Sequence, residues 1–252
     1  LPDMNLVKQM IMDYGSVGIS YCAIGGTTIY ENCYQYTATK YQTNHAVTVV
    51  GWDDTISKDR FTTPPPGDGA WLVKNSWGDD WGIQGYFWLS YYDATIYSDA
   101  YVFDFASGDN YDNNYQYDGG AYWYGAISGA YPGQVCAANV YVADSDETLE
   151  AVGFYTRDLN IEYEIQIFRN IREGAVPNQG MLVYTQTGKE NYVGYHTVVL
   201  ENKIPLEEGE RYAVAITLRK EGDYVGFAVD KTHSYNWVEF HSYARAGESY
   251  GG

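Results

Sequence analysis

Two segments in the first third of the chain each place one polar side chain beside a run of β-branched and aromatic residues. The first segment, 43–52, reads TNHAVTVVGW and carries His45, and the second, 71–77, reads WLVKNSW and carries Asn75. Turn-forming residues, including three consecutive prolines, fill the interval between them. The pattern predicts an antiparallel strand pair joined by a long loop, a geometry that sets the imidazole beside the carboxamide.

The residues on either side of this pair predict a mostly β lobe that begins with one short helix. Residues 3–14 carry a helical apolar stripe, with Asp3 placed to cap the first turn and Gly15 to end the last. The stripe consists of Leu6, Val7, Met10 and Ile11. Further predictions are a strand at 17–23, a loop at 24–43, a strand at 86–92 and an extended run at 94–105.

A polar, turn-rich stretch at 107–114 separates this lobe from a second region with a different pattern. Residues 161–167 alternate between apolar and polar side chains, which predicts a half-buried strand. The runs 196–200, 211–218 and 224–229 are interpreted in the same way. Several short strands divided by turns favour a sandwich or jelly roll. The predicted domains are therefore 1–106 and 107–252.

Composition narrows the classes of partner. The chain of 252 residues has 33 acidic and 15 basic residues and a net charge of −18, so nucleic acids and anionic membrane surfaces are poor partners. No apolar run approaches the ~18 residues that a membrane-spanning helix needs, so we expect no membrane insertion. A signal peptide pattern is also absent, and Leu1-Pro2-Asp3 without an initiating Met favours a processing site or an artificial boundary.

The two blocks around His45 and Asn75 resemble the His and Asn blocks of the papain-like cysteine peptidases. The second block continues as WLVKNSWGDDWGIQGYF, and together they cover roughly residues 1–105. The resemblance implies the barrel-like lobe of that family, with His45 as acid and base and Asn75 as the residue that orients it. It also implies that Asn44 lines the primed side and that Ala46 lines the S2 pocket. Trp77 would shield the His–Asn hydrogen bond from water.

The family's nucleophile has no counterpart in the sequence. The resemblance places a Gln and a Cys-Gly-Ser-Cys-Trp-like segment well before the His, and only 44 residues precede His45. Cys22, Cys33 and Cys136 lack the expected neighbours. The resemblance therefore implies an N-terminal, Cys-bearing lobe on another chain or segment as partner. This lobe alone would expose Trp77 and Trp81 as an apolar patch.

The second region resembles the lectin-like domain that follows some bacterial and archaeal papain-like peptidase domains. The resemblance rests on AANVY at 137–141, LEAVGFY at 149–155 and GYHTV at 194–198. It implies a cysteine endopeptidase that acts on proteins or peptides and is secreted or attached to the cell surface. The alternative is a non-catalytic module that binds glycan or cell wall, with a vestigial peptidase lobe.

Several further side chains admit more than one role. The aromatic residues Tyr122, Trp123, Tyr124, Tyr235 and Trp237 fit sugar stacking, but core packing or docking is favoured. The side-chain oxygens of Asp109, Asp112 and Asp118, with those of the asparagines at 110, 113 and 114, are of the type that binds Ca²⁺. The same composition is equally typical of a solvated linker.

No other cofactor and no transition-metal site is expected, since His196, His233 and His241 lack metal-ligand spacing with cysteines. Cys22 and Cys33 either pair or stay free. The disulfide that the family usually has in this lobe would need a later cysteine near the end of the lobe, which is absent.

Overall fold

The computed structural model divides the chain into two compact units, Leu1–Tyr111 and Asp112–Gly252. It describes residues 3–23, 33–96, 99–117, 126–128, 133–222, 224–229, 232–235, 238–241 and 245–251. At 126–128, 233, 235, 238 and 240 only the backbone is described. Within these ranges no helix is long and apolar enough to cross a membrane.

Unit 1 is one helix on a six-stranded sheet. Its elements are α1 (Met4–Tyr14), β1 (Val17–Tyr21), β2 (Tyr34–Gln35), β3 (His45–Asp53), a 3-10 turn (Lys58–Arg60), β4 (Ala70–Lys74), β5 (Tyr86–Ser90) and β6 (Ala100–Tyr101). The strand order is β2-β5-β4-β3-β1-β6, so the sheet is open within the described residues. The expected mostly β fold is confirmed, but the lobe is not a closed barrel.

Helix α1 has the predicted ends. The carboxylate of Asp3 accepts a hydrogen bond from the Asn5 backbone N–H at 2.9 Å, and Gly15 ends the helix with φ of 82°. Val7 and Ile11 are buried against the sheet. Leu6, which the predicted stripe included, is exposed instead.

The central pair, β3 and β4, is antiparallel as the sequence predicts. Thr48 lies opposite Lys74 and Trp52 opposite Trp71, with a bulge between Val49 and Gly51. Alternate residues of β3 and β4 point into one core with Ile19 of β1 and Phe87 of β5. The pair is therefore packed into the core of unit 1 next to His45 and Asn75.

Three predicted extended runs of unit 1 are shorter in the structure. The strand expected at 17–23 ends at Tyr21, and the one expected at 86–92 ends at Ser90. The run expected at 94–105 contributes only Ala100–Tyr101 to the sheet. The physical reason is that β6 pairs with β1 only opposite Gly18 and Ile19. Beyond that point residues 103–114 are exposed.

Unit 2 is all-β. Its elements are β7 (Ala126–Ser128), β8 (Gln134–Val142), β9 (Glu147–Thr156), β10 (Ile161–Arg169), a 3-10 turn (Pro177–Gln179), β11 (Met181–Glu190), β12 (Gly194–Leu206), β13 (Arg211–Arg219), β14 (Gly226–Ala228), β15 (His233–Tyr235), β16 (Val238–Phe240) and β17 (Ser249–Gly251).

The strands of unit 2 form two layers, which confirms the predicted sandwich. A five-stranded sheet has the order β11-β10-β13-β8-β17, and β9 pairs with β12 in a second sheet. Phe154 and Val198 of the second sheet share a core with Ile165 and Ile216 of the first.

Strand β13 differs from its predicted half-buried pattern. Residues 212–216 are all buried. Tyr212, Val214 and Ile216 face the core between the two sheets, whereas Ala213 and Ala215 face a second cluster with Val140 and Phe168. The strand lies between β10 and β8, and small alanines on its outer side let this second cluster cover it.

Tyrosines attach the start of unit 2 to its sheet. The Tyr115 hydroxyl donates to Glu147 at 2.5 Å, and the Tyr117 ring stacks on Tyr141 with centroids 5.0 Å apart. The Tyr117 hydroxyl also donates to the Val140 carbonyl at 2.5 Å. These contacts make residues 113–117 part of unit 2.

Candidate active site

His45 and Asn75 meet at one end of the β3–β4 pair. His45 is the first residue of β3, and Asn75 follows directly after the last residue of β4. The imidazole Nε2 lies 2.8 Å from the carboxamide Oδ1 of Asn75. Asn75 is buried and His45 is half-buried, so the contact is screened from solvent on one side.

The hydrogen bonds of Asn75 select one tautomer of the imidazole. Its Oδ1 also accepts the Ser76 backbone N–H at 2.8 Å, and a backbone N–H can only donate. The atom facing His45 is therefore oxygen, which requires a proton on Nε2. Nδ1 is left as the nitrogen that can take up or release a proton.

Trp77 covers this pair, although it does so from a loop and not from the strand that the sequence predicts. Its indole stacks on the His45 ring with centroids 4.8 Å apart and an interplanar angle of 21°. Trp77 is 49% exposed, whereas Trp81, which packs edge-on against it, is buried. The expected exposed patch therefore contains Trp77 but not Trp81.

Tyr21 supports the imidazole from β1 and was missed in the sequence analysis. It lies directly opposite His45 in the strand register, and the two rings have centroids 5.8 Å apart. Its side chain is fully buried, and burial raises the pKa of its hydroxyl. The inward alternation of Val17, Ile19 and Tyr21 was the signal that could have found it.

The two residues that flank His45 have different surroundings. The side-chain amide of Asn44 pairs with the backbone of Ala23, accepting from its N–H at 2.8 Å and donating to its carbonyl at 3.2 Å. Ala46 is exposed and lies opposite Ser20 in the register. Because side chains alternate along a strand, Ala46 lies on the face of β3 opposite to His45.

A buried polar network holds the C-terminal end of β1. Asp93 accepts the backbone N–H groups of Thr37 and Thr95 at 2.8 and 2.9 Å and the Thr95 hydroxyl at 2.6 Å. The Thr95 hydroxyl in turn accepts the Cys22 backbone N–H at 3.1 Å. Burial outweighs these donors and raises the pKa of Asp93. The network anchors the residues next to Tyr21.

The three cysteines are not part of this arrangement. Cys22, Cys33 and Cys136 are all unpaired, and no hydrogen bond joins a described thiol to His45. Cys22 is buried, and burial raises the pKa of Cys33. A raised pKa disfavours the thiolate that acts as nucleophile.

The other sequence-predicted residues lie in unit 2 or outside the described side chains. Tyr122, Trp123, Tyr124, Tyr235, Trp237, His233 and Asp118 belong to the latter group. His196 lies beside Glu190, and His241 beside Glu239. Among described residues, no group of three or more His, Cys, Asp and Glu side chains could hold a metal ion.

Comparison with known families agrees with the two-unit architecture. Residues 2–102 match the papain family cysteine protease, and residues 114–251 match the lectin like domain. The chain therefore belongs to the proteins that join a papain-family peptidase domain to a lectin-like domain.

Solved structures of similar proteins extend over both units. The cysteine protease and lectin-like domains of Cwp84, a surface layer associated protein of Clostridium difficile, align with a TM-score of 0.82 and 29% identity, over 99% of this chain and 55% of that one. The clostridial Cwp84 after propeptide cleavage aligns with a TM-score of 0.84 and 30% identity, over 99% of this chain and 62% of that one.

Curated relatives match a smaller part of the chain. Cathepsin B-like CP3 of Giardia intestinalis is 30% identical over 86 residues, which is 34% of this chain and 26% of the relative. Cathepsin J of Mus musculus is 41% identical over 63 residues, which is 25% of this chain and 15% of the relative. The chain thus spans a minor part of the length of these relatives.

Proposed function

We propose that the chain is the His/Asn part of a papain-like cysteine endopeptidase that hydrolyses peptide bonds in proteins. The observation that carries the proposal is the imidazole of His45, held through Nε2 by Asn75 and stacked under Trp77, with Nδ1 left for proton transfer. A base oriented by a third group is the arrangement that activates a nucleophile.

The proposed reaction forms and breaks bonds in two stages. Nδ1 of His45 takes the thiol proton, and the thiolate sulfur bonds to the amide carbonyl carbon. The C–N bond then breaks, and the protonated imidazole returns the proton to the leaving amine, which leaves a thioester. Water attacks the thioester carbonyl carbon while His45 accepts its proton. The C–S bond then breaks, the imidazolium returns the proton to the sulfur, and the carboxylic acid product leaves the regenerated thiol. Asn75 keeps the ring in one orientation throughout. The chemistry requires no cofactor.

The thiol of this reaction comes, in our proposal, from an N-terminal lobe outside these 252 residues. Apolar groups on unit 1 support such a partner: Trp77, Ile83, Phe103 and Phe105 are all exposed. Phe103 and Phe105 lie in contact, with ring centroids 6.0 Å apart, and contiguous exposed apolar patches mark interaction surfaces in soluble proteins. The oxyanion-binding Gln would belong to the same lobe.

The neighbouring residues take proposed binding roles. Trp77 offers an exposed indole face beside the imidazole, where an extended substrate would pass. Asn44 lines the primed side through the backbone edge that its side chain stabilises, and Ala46, on the face of β3 opposite to His45, lines S2. Because Cwp84 is a surface layer associated protein, we also propose secretion or attachment to the cell surface.

The test is labelling of the longer polypeptide, expressed from the gene that encodes this chain, with a thiol-directed peptidyl inhibitor. We expect labelling and peptidase activity in the wild type and loss of both in His45→Ala. The Asn75→Ala variant should lose about 100-fold or more in kcat. Ser76→Ala is the matched control and should keep activity. Peptide hydrolysis by the 252-residue chain alone would contradict the proposed origin of the thiol.

The alternative is a carbohydrate-binding module with a vestigial peptidase lobe. The intact His45–Asn75 contact favours catalysis over a vestigial lobe. Glycan binding that survives His45→Ala, together with inactivity of the longer polypeptide, would favour the alternative.

A further inference from the structure

Five aromatic rings, one of them the imidazole of His45, form a closed circuit of contacts in unit 1. His45 stacks on Trp77, and Trp77 packs edge-on against Trp81 with centroids 5.1 Å apart. Trp81 contacts Phe87 at 5.5 Å between centroids, and Phe87 contacts Tyr21 at 5.8 Å. The contact between Tyr21 and His45, also at 5.8 Å, closes the circuit. The imidazole therefore contacts one ring from a loop and one from the core.

These two partners of the imidazole are held differently by the fold. Trp77 lies in the loop after β4 and is 49% exposed. Tyr21 lies opposite His45 in the pairing of β1 with β3 and is fully buried. It packs in the core of unit 1 with Phe87, which is also fully buried. Because side chains in a core are close-packed in defined rotamers, Tyr21 offers His45 a fixed surface on the core side.

The imidazole needs such a surface because its hydrogen bond fixes one atom of the ring and leaves the plane of the ring free. The side-chain torsion that rotates an imidazole is broad and roughly two-fold, so it sets the plane only weakly. Oδ1 of Asn75 holds Nε2 alone. Contacts with neighbouring rings restrict the remaining rotation of His45. They thereby determine the direction in which Nδ1 points.

The ring of Tyr21, and not its hydroxyl, makes this contact. Among the described residues, the buried hydroxyl oxygen has no hydrogen-bond partner. The ring, by contrast, contacts both His45 and Phe87. A phenylalanine at position 21 would keep both ring contacts, whereas a leucine would remove them. The two substitutions therefore separate the role of the ring from that of the hydroxyl.

We propose that Tyr21 is a positioning residue of the peptidase, whose ring, supported by Phe87, holds the imidazole of His45 with Nδ1 directed toward the thiol. The inference rests on the proposed function, in which Nδ1 exchanges a proton with a thiol of the N-terminal lobe. Because Tyr21 is fully buried, substrate cannot reach it. Its effect therefore passes through His45 and falls on kcat rather than on KM.

The first measurement is long-range ¹H–¹⁵N NMR of His45 in the 252-residue chain, which requires no peptidase activity. We expect the wild type and Tyr21→Phe to show one Nε2–H tautomer and nuclear Overhauser contacts between His45 and Trp77. Tyr21→Leu should give a mixture of tautomers and weaker contacts with Trp77, because the imidazole then populates more than one orientation.

The second measurement is peptide hydrolysis by the longer polypeptide that contains this chain. Tyr21→Leu should lower kcat about tenfold or more and change KM less than about twofold, because a misplaced proton-transfer group slows the reaction without weakening substrate binding. Tyr21→Phe should retain the kcat of the wild type.

Ile19→Ala is the matched control for loss of core packing. Ile19 lies on the same strand and in the same core as Tyr21 and is also fully buried, but it has no ring to place against His45. Ile19→Ala should lower the midpoint of urea unfolding, as Tyr21→Leu does. It should leave the NMR signals of the His45 ring and kcat unchanged.

An unchanged orientation of His45 or an unchanged kcat in Tyr21→Leu would each overturn the proposal. Equal effects of Ile19→Ala and Tyr21→Leu would do the same, since they would reduce the role of Tyr21 to core packing. A loss in Tyr21→Phe as large as that in Tyr21→Leu would transfer the role to the hydroxyl. Inactivity of the wild-type polypeptide would contradict the proposed function instead, and the NMR comparison would still decide whether Tyr21 orients the imidazole.

Discussion

The hydrogen bonds of Asn75 decide which nitrogen of His45 carries a proton. One oxygen accepts from both Nε2 of His45 and the Ser76 backbone, at 2.8 Å in each case. The sequence could place the two side chains near each other but could not orient the amide. That orientation depends on the chain turning after β4, which brings the Ser76 N–H to the oxygen.

We expect long-range ¹H–¹⁵N NMR spectra of the chain to show neutral His45 as the Nε2–H tautomer. The reason is that Oδ1 of Asn75 has no proton to donate. Asn75→Leu removes the acceptor and should allow a mixture of tautomers. The exposed His241 serves as the internal control and should not respond to this substitution. A dominant Nδ1–H form of His45 in the wild type would contradict the assignment.

Strands β10 and β13 of unit 2 are joined at one end by a charged pair that the sequence pattern did not indicate. Nε of Arg169 donates to Glu210 at 2.7 Å, and its Nη2 donates to the other carboxylate oxygen. The Arg169 guanidinium holds the pKa of Glu210 below its ordinary value of 4.5. A lowered pKa means that ionised Glu210 stabilises the folded state.

Glu210→Gln should lower the free energy of unfolding of unit 2 by about 2 kcal/mol at pH 7, since it breaks a two-point charged contact. Because the pKa of folded Glu210 is lowered, this contribution is present above pH 4.5 and is lost as the pH falls through the folded pKa. Urea unfolding of the wild type and of Glu210→Gln at pH 7 and at pH 3 measures this difference in the free energy of unfolding.

The control is Glu150→Gln, since Lys203 of that pair is 64% exposed and such pairs contribute about 0–1 kcal/mol. A Glu210→Gln effect that is the same at both pH values would show that the ion pair is not its cause.

The molecule consists of two units with separate cores. Residues 103–114, which lie between the two cores in the sequence, are exposed. Each core closes within its own part of the chain. Helix α1 and the six-stranded sheet enclose one, and the two sheets of unit 2 enclose the other. An exposed connecting segment is where proteases cut first.

We expect limited digestion with chymotrypsin to cut after Phe103, Phe105 or Tyr111 before any cut within the strands. Phe105 is 85% exposed, so its backbone can enter a protease site without unfolding of either unit. Mass spectrometry of the earliest fragments gives the cleavage positions. First cuts inside β8 or β13 would show that unit 2 opens more readily than the connecting segment does.

Residues close together in the sequence were sufficient to predict the helix, the strands and the chemical type of the candidate site. The caps at Asp3 and Gly15, the alternation at 161–167 and the block around Asn75 each depend on neighbours only a few residues away. Such short-range patterns follow from helix and strand periodicity, which is independent of the rest of the fold.

Packing between segments that are distant in the sequence decided the side-chain contacts that those local patterns could not predict. Tyr21 lies beside His45 only because β1 pairs with β3, and the hydroxyl end of Tyr195 fills the space beside Gly153 only because β9 and β12 are neighbours. Strand β13 is buried on both faces because alanines on its outer side pack against Phe168 and Val140. Burial and ring contacts of this kind depend on which strands become neighbours, and strand order is a property of the folded chain and not of any single segment.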